Sequence, residues 1–207
     1  ILNKKRKINL KTSFYYNSII NKKHNHLRIK FNNCNEFIYN DIRKFGFIKL
    51  LKTNNIDNCI NLFNLGPEPL SKKFNFQYVK KQCSKSKKNI KNFLMDQKNV
   101  SGLGNIYVNE ILFQSSINPR KLMYKLNNTE ISRVLKNTKI ILNDAIRQGG
   151  SSIKDFKGTT GKEGYFQQSF KVYNRDNKGC MKKTCRGVIK KIYIGNRSTF
   201  FCKNCQN

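Results

Sequence analysis

The chain has 207 residues, and its 42 Lys and Arg against 11 Asp and Glu give a formal net charge of +31 at pH 7. A field of this sign favours a polyanionic partner, either nucleic acid or an anionic membrane surface. No run of about 18 apolar residues is present to span a bilayer, and no signal peptide is recognisable, which argues against membrane-spanning and secreted classes. Lys, Asn, Ile and Phe are abundant throughout, so a genome-wide compositional bias is an alternative source of part of the charge. Composition therefore favours nucleic acid without identifying its kind, in a chain long enough for one or two domains.

The first part of the chain is predicted to form β-structure. Residues 26–31 and 36–39 alternate between apolar and polar types, and residues 45–50 form a third apolar strand pattern. The turn at residues 65–70 holds two prolines that restrict its conformation, and it is the predicted domain boundary.

After this boundary the apolar residues change to helical spacing. Four helices are predicted, around residues 74–79, 90–94, 106–112 and 131–146. Thr129 is the expected N-cap of the fourth helix, and Gly149 with Gly150 is expected to end it. We expect most of these apolar stripes to be core.

A glycine-rich turn precedes the third predicted helix. Gly102 and Gly104 would let backbone N–H groups approach a ligand, and Asn105 would add an amide donor at a helix N-terminus that favours phosphate. A tight turn with no ligand is the more common explanation of this spacing and stays open. The lysines close by in sequence, which would surround a phosphate with positive charge, are Lys85, Lys87, Lys88 and Lys91.

Four of the seven cysteines form two pairs near the C-terminus. They follow the pattern Cys180-x4-Cys185-x16-Cys202-x2-Cys205. This spacing predicts one tetrahedral zinc ion held by four thiolates, and a pair of disulfide-linked loops is the alternative.

The segment between the cysteine pairs has the residue types of a β-hairpin. Residues 188–194 and 198–201 are rich in β-branched and aromatic residues, and Gly195 and Asn196 accept the positive φ of a tight turn. Arg197 follows the turn, so the predicted zinc ribbon presents a guanidinium at its tip. The remaining cysteines (Cys34, Cys59 and Cys83) are scattered, which indicates a reducing, intracellular setting.

Several motifs in order resemble the formamidopyrimidine-DNA glycosylase family. The segments that resemble its helix–two-turn–helix region are LGPEPL (65–70), IKNFLMDQ (90–97), GLGNIYVNEILF (102–113) and INP (117–119). The resemblance continues through residues 148–156, 161–166 and 172–173 to the cysteine hairpin, while residues 23–26 and 41–46 resemble the end of the family's catalytic β-sandwich domain.

The resemblance implies an α+β fold with four parts. They are a partial β-sandwich in residues 1–60, a helix–two-turn–helix DNA-binding domain in 61–160, a lesion-enclosing loop and linker in 161–172, and a zinc-finger β-hairpin in 173–207.

The resemblance also implies base excision repair. Members of the family remove oxidised purines, such as 8-oxoguanine and formamidopyrimidines, from duplex DNA and then cleave the abasic strand, which requires the damaged nucleotide to be flipped out. The implied partner is double-stranded DNA with oxidised purines or abasic sites, and the implied cofactor is one Zn²⁺. We expect a monomer in a bacterial type of cytoplasm.

Individual residues receive roles from this resemblance and from the lysine cluster. Arg197 would be catalytic, holding a phosphate or assisting the elimination. Arg43 and Phe45 would enter the gap left by the flipped base, and Tyr165 would help enclose that base. The full set of predicted DNA contacts is His24, Arg43, Phe45, Lys85, Lys87, Lys91, Asn105 and Tyr165.

The sequence also departs from the family. The family's nucleophile is an N-terminal proline amine followed by a glutamate, and neither this pair nor a β-sandwich lysine has a counterpart in a sequence that opens with Ile1. The first cysteine pair is spaced by four residues rather than two, and Ser86 stands where a lysine is frequent.

Two main functions therefore stay open. One is a glycosylase and abasic-site lyase whose catalytic start lies upstream of this sequence, which an in-frame Met-Pro-Glu would reveal. The other is a non-catalytic, zinc-dependent protein that binds damaged DNA. An RNA-binding, ribosome-associated zinc ribbon fits the charge but not the motifs at residues 65–70 and 102–107.

Overall fold

The computed structural model describes residues 2–3, 22–55, 64–151 and 165–207. Their regular elements are a small antiparallel sheet, four helices and a C-terminal hairpin, consistent with the predicted α+β class. Cys59 and the residues of the family motifs between 152 and 164 lie outside the described residues. No helix in the described ranges is long and apolar enough to cross a membrane.

The N-terminal sheet has three antiparallel strands, β1 (Leu2–Asn3), β2 (Asn25–Lys30) and β3 (Glu36–Asn40), in the order β1-β3-β2. The strands predicted at residues 26–31 and 36–39 are confirmed. The strand predicted at residues 45–50 is wrong, because these residues pair with no strand in the described ranges. Strand-forming residue types are not sufficient without a partner edge, and Phe45 and Leu50 are 77% and 97% exposed.

The helices confirm the four predicted helical segments. They are α1 (Phe76–Lys85), α2 (Ile90–Met95), α3 (Asn105–Gln114) and α4 (Asn128–Arg147). Their apolar faces meet in one core whose fully buried members include Phe93, Ile111 and Val134. Burial of such side chains contributes about 1.5–3 kcal/mol each.

The N-cap predicted for α4 is wrong. The cap is Asn127, whose side chain accepts the backbone N–H of Glu130 at 2.9 Å, while the Glu130 carboxylate accepts the N–H of Asn127 at 3.0 Å. This reciprocal capping box places the N-cap two residues before Thr129. Gly149 and Gly150, with φ of 72° and 84°, end the helix as predicted.

The C-terminal hairpin consists of β4 (Ile189–Ile194) and β5 (Arg197–Cys202). Gly195 and Asn196 both have φ of 57°, as a tight two-residue turn of the predicted kind requires. A second core joins this hairpin to α3, because Phe113 packs with Ile189 and Phe200.

Candidate nucleic-acid interface and metal centre

The four paired cysteines converge at the base of the hairpin. Their Sγ atoms all lie within 4.8 Å of one another, with 3.7 Å between Cys180 and Cys205 and 3.6 Å between Cys185 and Cys202. A tetrahedron with Zn–S bonds of about 2.3 Å has edges of about 3.8 Å, so the spacing fits one zinc ion. A disulfide needs about 2.05 Å, and the disulfide alternative therefore does not fit.

The electrostatics of the cysteine cluster also fit a bound cation. Burial raises the pKa of Cys180 and Cys205, and neighbouring thiols raise that of Cys205 further. The backbone N–H of Gly187 lowers the pKa of Cys185. Thiols this close cannot all ionise alone, whereas a dication stabilises the four thiolates together. The site is that of one zinc ion.

Two neighbours of the cysteines fix the position of the site. A Cβ on Gly187 would lie 2.6 Å from the Cys202 Sγ, so only glycine fits there. The side chain of Gln206 accepts the N–H of Cys202 at 2.9 Å and donates to the Ile117 carbonyl at 2.9 Å. The metal centre is thereby anchored to the turn that follows α3.

Lys91 lies beneath the tip of the hairpin. Its side chain is 0% exposed, and its Nζ donates to Thr199 Oγ1 at 2.6 Å and to the carbonyls of Ser198 and Arg197 at 3.3 and 3.4 Å. Burial, reinforced by the Arg197 guanidinium, lowers the pKa of Lys91 to about 8. The Lys91 ammonium is thus enclosed by acceptors of the hairpin, and its predicted contact with a phosphate stays a prediction.

The glycine-rich turn and the hairpin tip meet at the start of α3. Asn105 Nδ2 donates to the Ser198 carbonyl at 3.0 Å, and Arg197 next to it is exposed. Gly104 is the N-cap residue of α3, and no described side chain caps that position. A Cβ on Gly104 would meet nothing within 4 Å, so no described neighbour explains the glycine. The first N–H groups of α3, Asn105 and Arg197 are thus gathered in one place.

Two polar residues of α3 that the sequence analysis did not single out hold this region together. Asn109 is 2% exposed and bonds to both Asn105 and Phe200. Glu110 is 4% exposed, and its carboxylate accepts the backbone N–H groups of residues 171–173 at 2.8 to 3.2 Å. The sequence feature that could have identified them is a pair of consecutive polar residues within an otherwise apolar helix segment.

A second group of predicted DNA contacts follows β3. Asp41 accepts the backbone N–H of Arg43 at 2.9 Å, of Lys44 at 3.0 Å and of Gly46 at 2.7 Å, and the Tyr39 hydroxyl at 3.1 Å. The Gly46 hydrogen bond is the main reason that the pKa of Asp41 is lowered. The resulting loop exposes Arg43 and Phe45, with the guanidinium carbon 4.8 Å from the ring centroid. This role of Asp41 was not predicted.

The remaining predicted contacts are distributed over the described surface. His24 is half-buried in the short 3₁₀ turn Lys22–His24, Lys85 and Lys87 are exposed at the end of α1 and after it, and Tyr165 is 62% exposed. Hydrogen bonds bring Lys91, Asn105 and Arg197 together in one group, and a ring contact joins Arg43 and Phe45 in another. Across the described ranges no hydrogen bond, ion pair or ring contact joins these two groups.

Two family models match the chain. Residues 65–157 match the formamidopyrimidine-DNA glycosylase H2TH domain, and residues 183–207 match the zinc finger found in FPG and IleRS.

Curated relatives agree with these matches. A formamidopyrimidine-DNA glycosylase of Bradyrhizobium sp. (strain ORS 278) is 39% identical over 189 residues, which are 88% of this chain and 64% of the relative. One of Histophilus somni (strain 2336) is 43% identical over 184 residues, which are 89% of this chain and 67% of the relative. The chain thus spans only about two thirds of the length of such relatives.

Solved structures with similar folds contain DNA. A complex between the Lactococcus lactis Fpg and an abasic site containing DNA has a TM-score of 0.77 and 36% identity, covering 90% of this chain and 68% of that one. A complex of the wild-type Lactococcus lactis protein with DNA containing N7-benzyl-Fapy-dG has a TM-score of 0.77 and 36% identity, covering 90% and 67%.

Proposed function

The chain belongs to the formamidopyrimidine-DNA glycosylase family, and on that premise we propose that it acts in base excision repair of oxidised purines in duplex DNA. The chemistry would be N-glycosylase action followed by abasic-site lyase action. The observation that carries this proposal is the convergence of Asn105, Arg197 and the uncapped start of α3 at the tip of a zinc-clamped hairpin. The named solved relatives are bound to abasic or Fapy-containing DNA.

This convergence is suited to a sharply bent backbone phosphate beside a lesion. The start of α3 offers backbone N–H groups and the positive end of its dipole. An amide has two N–H donors, and Asn105 directs one at the Ser198 carbonyl, which leaves the second for a phosphate. The guanidinium of Arg197 adds a permanent positive charge from the opposite element. The open space beside Gly104 would let the phosphate approach the backbone.

Arg197 is the residue we assign to the chemistry. A guanidinium stays protonated, so Arg197 would stabilise phosphate charge as the strand is cleaved rather than attack carbon. Lys91 would act from behind, by fixing the carbonyls of Arg197 and Ser198. The zinc ion would supply folding free energy to the hairpin that carries this arginine.

The loop braced by Asp41 would act on the base stack. Phe45 is 77% exposed and lies beside Arg43, so an apolar ring and a cation are presented together. An apolar wedge inserted at a base step lowers the cost of leaving that step unstacked. We propose that these two side chains fill the gap left by the flipped base, that Tyr165 helps enclose the base, and that His24, Lys85 and Lys87 contact the backbone.

Residues 22–55 would be the last part of the family's β-sandwich domain. The described sheet of three strands is consistent with this. A zinc-dependent protein that binds damaged DNA without catalysis is the second candidate, because the groups gathered at the hairpin tip are ones that bind and position a phosphate. For both candidates we propose a monomer in the cytoplasm of a bacterium.

The test is binding and trapping with the 207-residue, zinc-loaded chain. We expect it to bind a duplex with a tetrahydrofuran abasic analogue more tightly than the undamaged duplex, with steep salt dependence. Equal affinity for both duplexes would reject both candidates. Borohydride trapping on a natural abasic duplex then separates them, because only the lyase forms a Schiff base. We expect trapping only when an upstream segment with the Pro-Glu start is joined to the chain, since that amine must be positioned at the sugar.

A further inference from the structure

We propose that Asn109 is a positioning residue, which sets the register between α3 and β5 and thereby places Asn105 and Arg197 at the same phosphate. The inference rests on the proposed function for its consequence in DNA binding. The register itself is a property of the folded chain and can be tested without DNA.

The side-chain amide of Asn109 connects the two elements directly. Its Oδ1 accepts the backbone N–H of Phe200 at 2.7 Å, and its Nδ2 donates to the Asn105 carbonyl at 2.6 Å and to the Asn105 Oδ1 at 3.3 Å. A backbone N–H can only donate, so the amide oxygen must face Phe200 and the NH₂ must face Asn105. Asn109 is 2% exposed, so water does not compete for these groups.

The contacts follow the outer edge of β5. Its other edge pairs with β4, and its outer edge presents the Ser198 carbonyl and the Phe200 N–H, two residues apart. Asn105 takes the first at 3.0 Å and Asn109 takes the second at 2.7 Å. The two amides therefore bond to this edge in the place of a neighbouring strand.

The pairing of the two asparagines with β5 has a functional consequence, because the register of a strand can shift only in whole residues. A shift of β5 by one residue would turn its outward groups to the other edge or face, so the amides would lose both partners. Arg197 precedes Ser198 directly, and its position relative to the start of α3 is therefore determined by the same two bonds. An apolar residue of similar volume would fill the space of Asn109 but would leave the buried Phe200 N–H without an acceptor.

The variant Asn109→Leu removes the bonds and keeps the branched arrangement of side-chain heavy atoms. Asn137→Leu is the matched control, because Asn137 is also a buried asparagine, 9% exposed, and its Nδ2 donates to Ser115 Oγ at 3.0 Å, away from the hairpin. We expect both variants to fold, to bind one zinc ion and to lose some stability. Only Asn109→Leu should accelerate hydrogen exchange of the Phe200 amide and shift the amide resonances of Asn105 and Ser198.

DNA affinity gives the second readout. Asn109→Leu should weaken binding of the abasic-analogue duplex about tenfold, the loss expected for one well-formed hydrogen bond, and Asn137→Leu should not. In the Asn105→Ala background the loss of affinity from Asn109→Leu should be smaller than in the parent, because part of the effect of Asn109 is transmitted through Asn105. Asn109→Asp, which keeps an acceptor for the Phe200 N–H, should recover part of the affinity.

The two readouts separate the two possible failures. If the parent does not prefer the abasic duplex, the proposed function fails, and the exchange rate of the Phe200 amide still decides the register. An unchanged Phe200 amide in Asn109→Leu would overturn the inference. Fully additive losses in the double variant would also overturn it, since they would mean that Asn109 contributes stability and no positioning.

Discussion

Lys91→Met replaces the buried ammonium under the hairpin tip with an apolar side chain of nearly the same length. Two opposing effects follow, and the structure supplies both. Burial lowers the pKa of Lys91 from 10.5 to about 8. Since one pH unit corresponds to about 1.4 kcal/mol, holding this charge in the fold costs about 3 kcal/mol at neutral pH. The methionine removes that cost. It also removes the 2.6 Å bond to Thr199 and two longer bonds, and a hydrogen bond from a charged group contributes about 1.5–3 kcal/mol.

The two effects nearly cancel at pH 7, so the free energies of unfolding of the parent and of Lys91→Met should agree within about 2 kcal/mol there. They should diverge at higher pH. Between pH 8 and 10.5 the unfolded chain binds more protons at this lysine than the folded chain, so stability from this group rises with pH. The parent should therefore gain about 2–3 kcal/mol over the variant between pH 7 and pH 10. Denaturant titrations at fixed zinc concentration across this pH range measure the difference in the free energy of unfolding. A difference between parent and variant that does not change with pH would refute the assignment of a buried charge to Lys91.

DNA binding tests whether Lys91 acts behind the hairpin or on the phosphate. Loss of its bonds to the Arg197 and Ser198 carbonyls should weaken binding of an abasic-analogue duplex about tenfold. The slope of log affinity against log salt should stay unchanged, because an enclosed ammonium releases no counterion. Lys87→Met, at an exposed lysine, is the control and should reduce that slope by about one. A reduced slope in Lys91→Met would mean that Lys91 contacts a phosphate after all.

Three further changes test the metal site, the phosphate site and the loop. Cys205→Ser should abolish stoichiometric zinc and DNA binding, since structural zinc contributes on the order of 10 kcal/mol to folding; one zinc ion per chain by metal analysis would contradict this. Gly104→Ala should change stability by less than about 1 kcal/mol, because φ is −109° and the space is open, yet weaken duplex binding; unchanged affinity would remove the backbone from the phosphate site. Asp41→Asn should lose the acceptor of the Gly46 N–H and reduce the preference for abasic over undamaged duplex, measured by competition. Because the pKa of Asp41 is lowered, this brace is fully present at neutral pH and is lost as the pH falls below the usual aspartate range; a preference that stays constant into acid would contradict the role.

Features determined by a few neighbouring residues could be read from the sequence alone. The cysteine spacing and the Gly195-Asn196 turn predicted the zinc hairpin, because metal ligation and positive φ depend on residue types at fixed local spacing. Helical periodicity located all four helices, because it is also a pattern of neighbouring residues. The family motifs between residues 65 and 157 were recognisable because they are continuous in sequence.

Errors in the predicted local structure arose where a local signal was not sufficient by itself. Thr129 and Asn127 both have side chains that can cap a helix, and the reciprocal bond with Glu130 selected Asn127. Residues 45–50 have strand-forming types, but a strand also needs a partner edge, which lies outside the segment itself.

The tertiary structure alone decided what the buried polar residues do. A lysine before an apolar helix segment looks like a surface cation in sequence, and only the packing of the hairpin on α2 and α3 encloses Lys91 with the carbonyls of β5. Asn109 is likewise separated from Phe200 by 91 positions along the chain, yet their hydrogen bond sets how the two elements meet. Sequence shows which groups can donate and accept hydrogen bonds. Which of them lose water and must find each other is determined by the three-dimensional contact, because the penalty for an unpaired polar group exists only once it is buried.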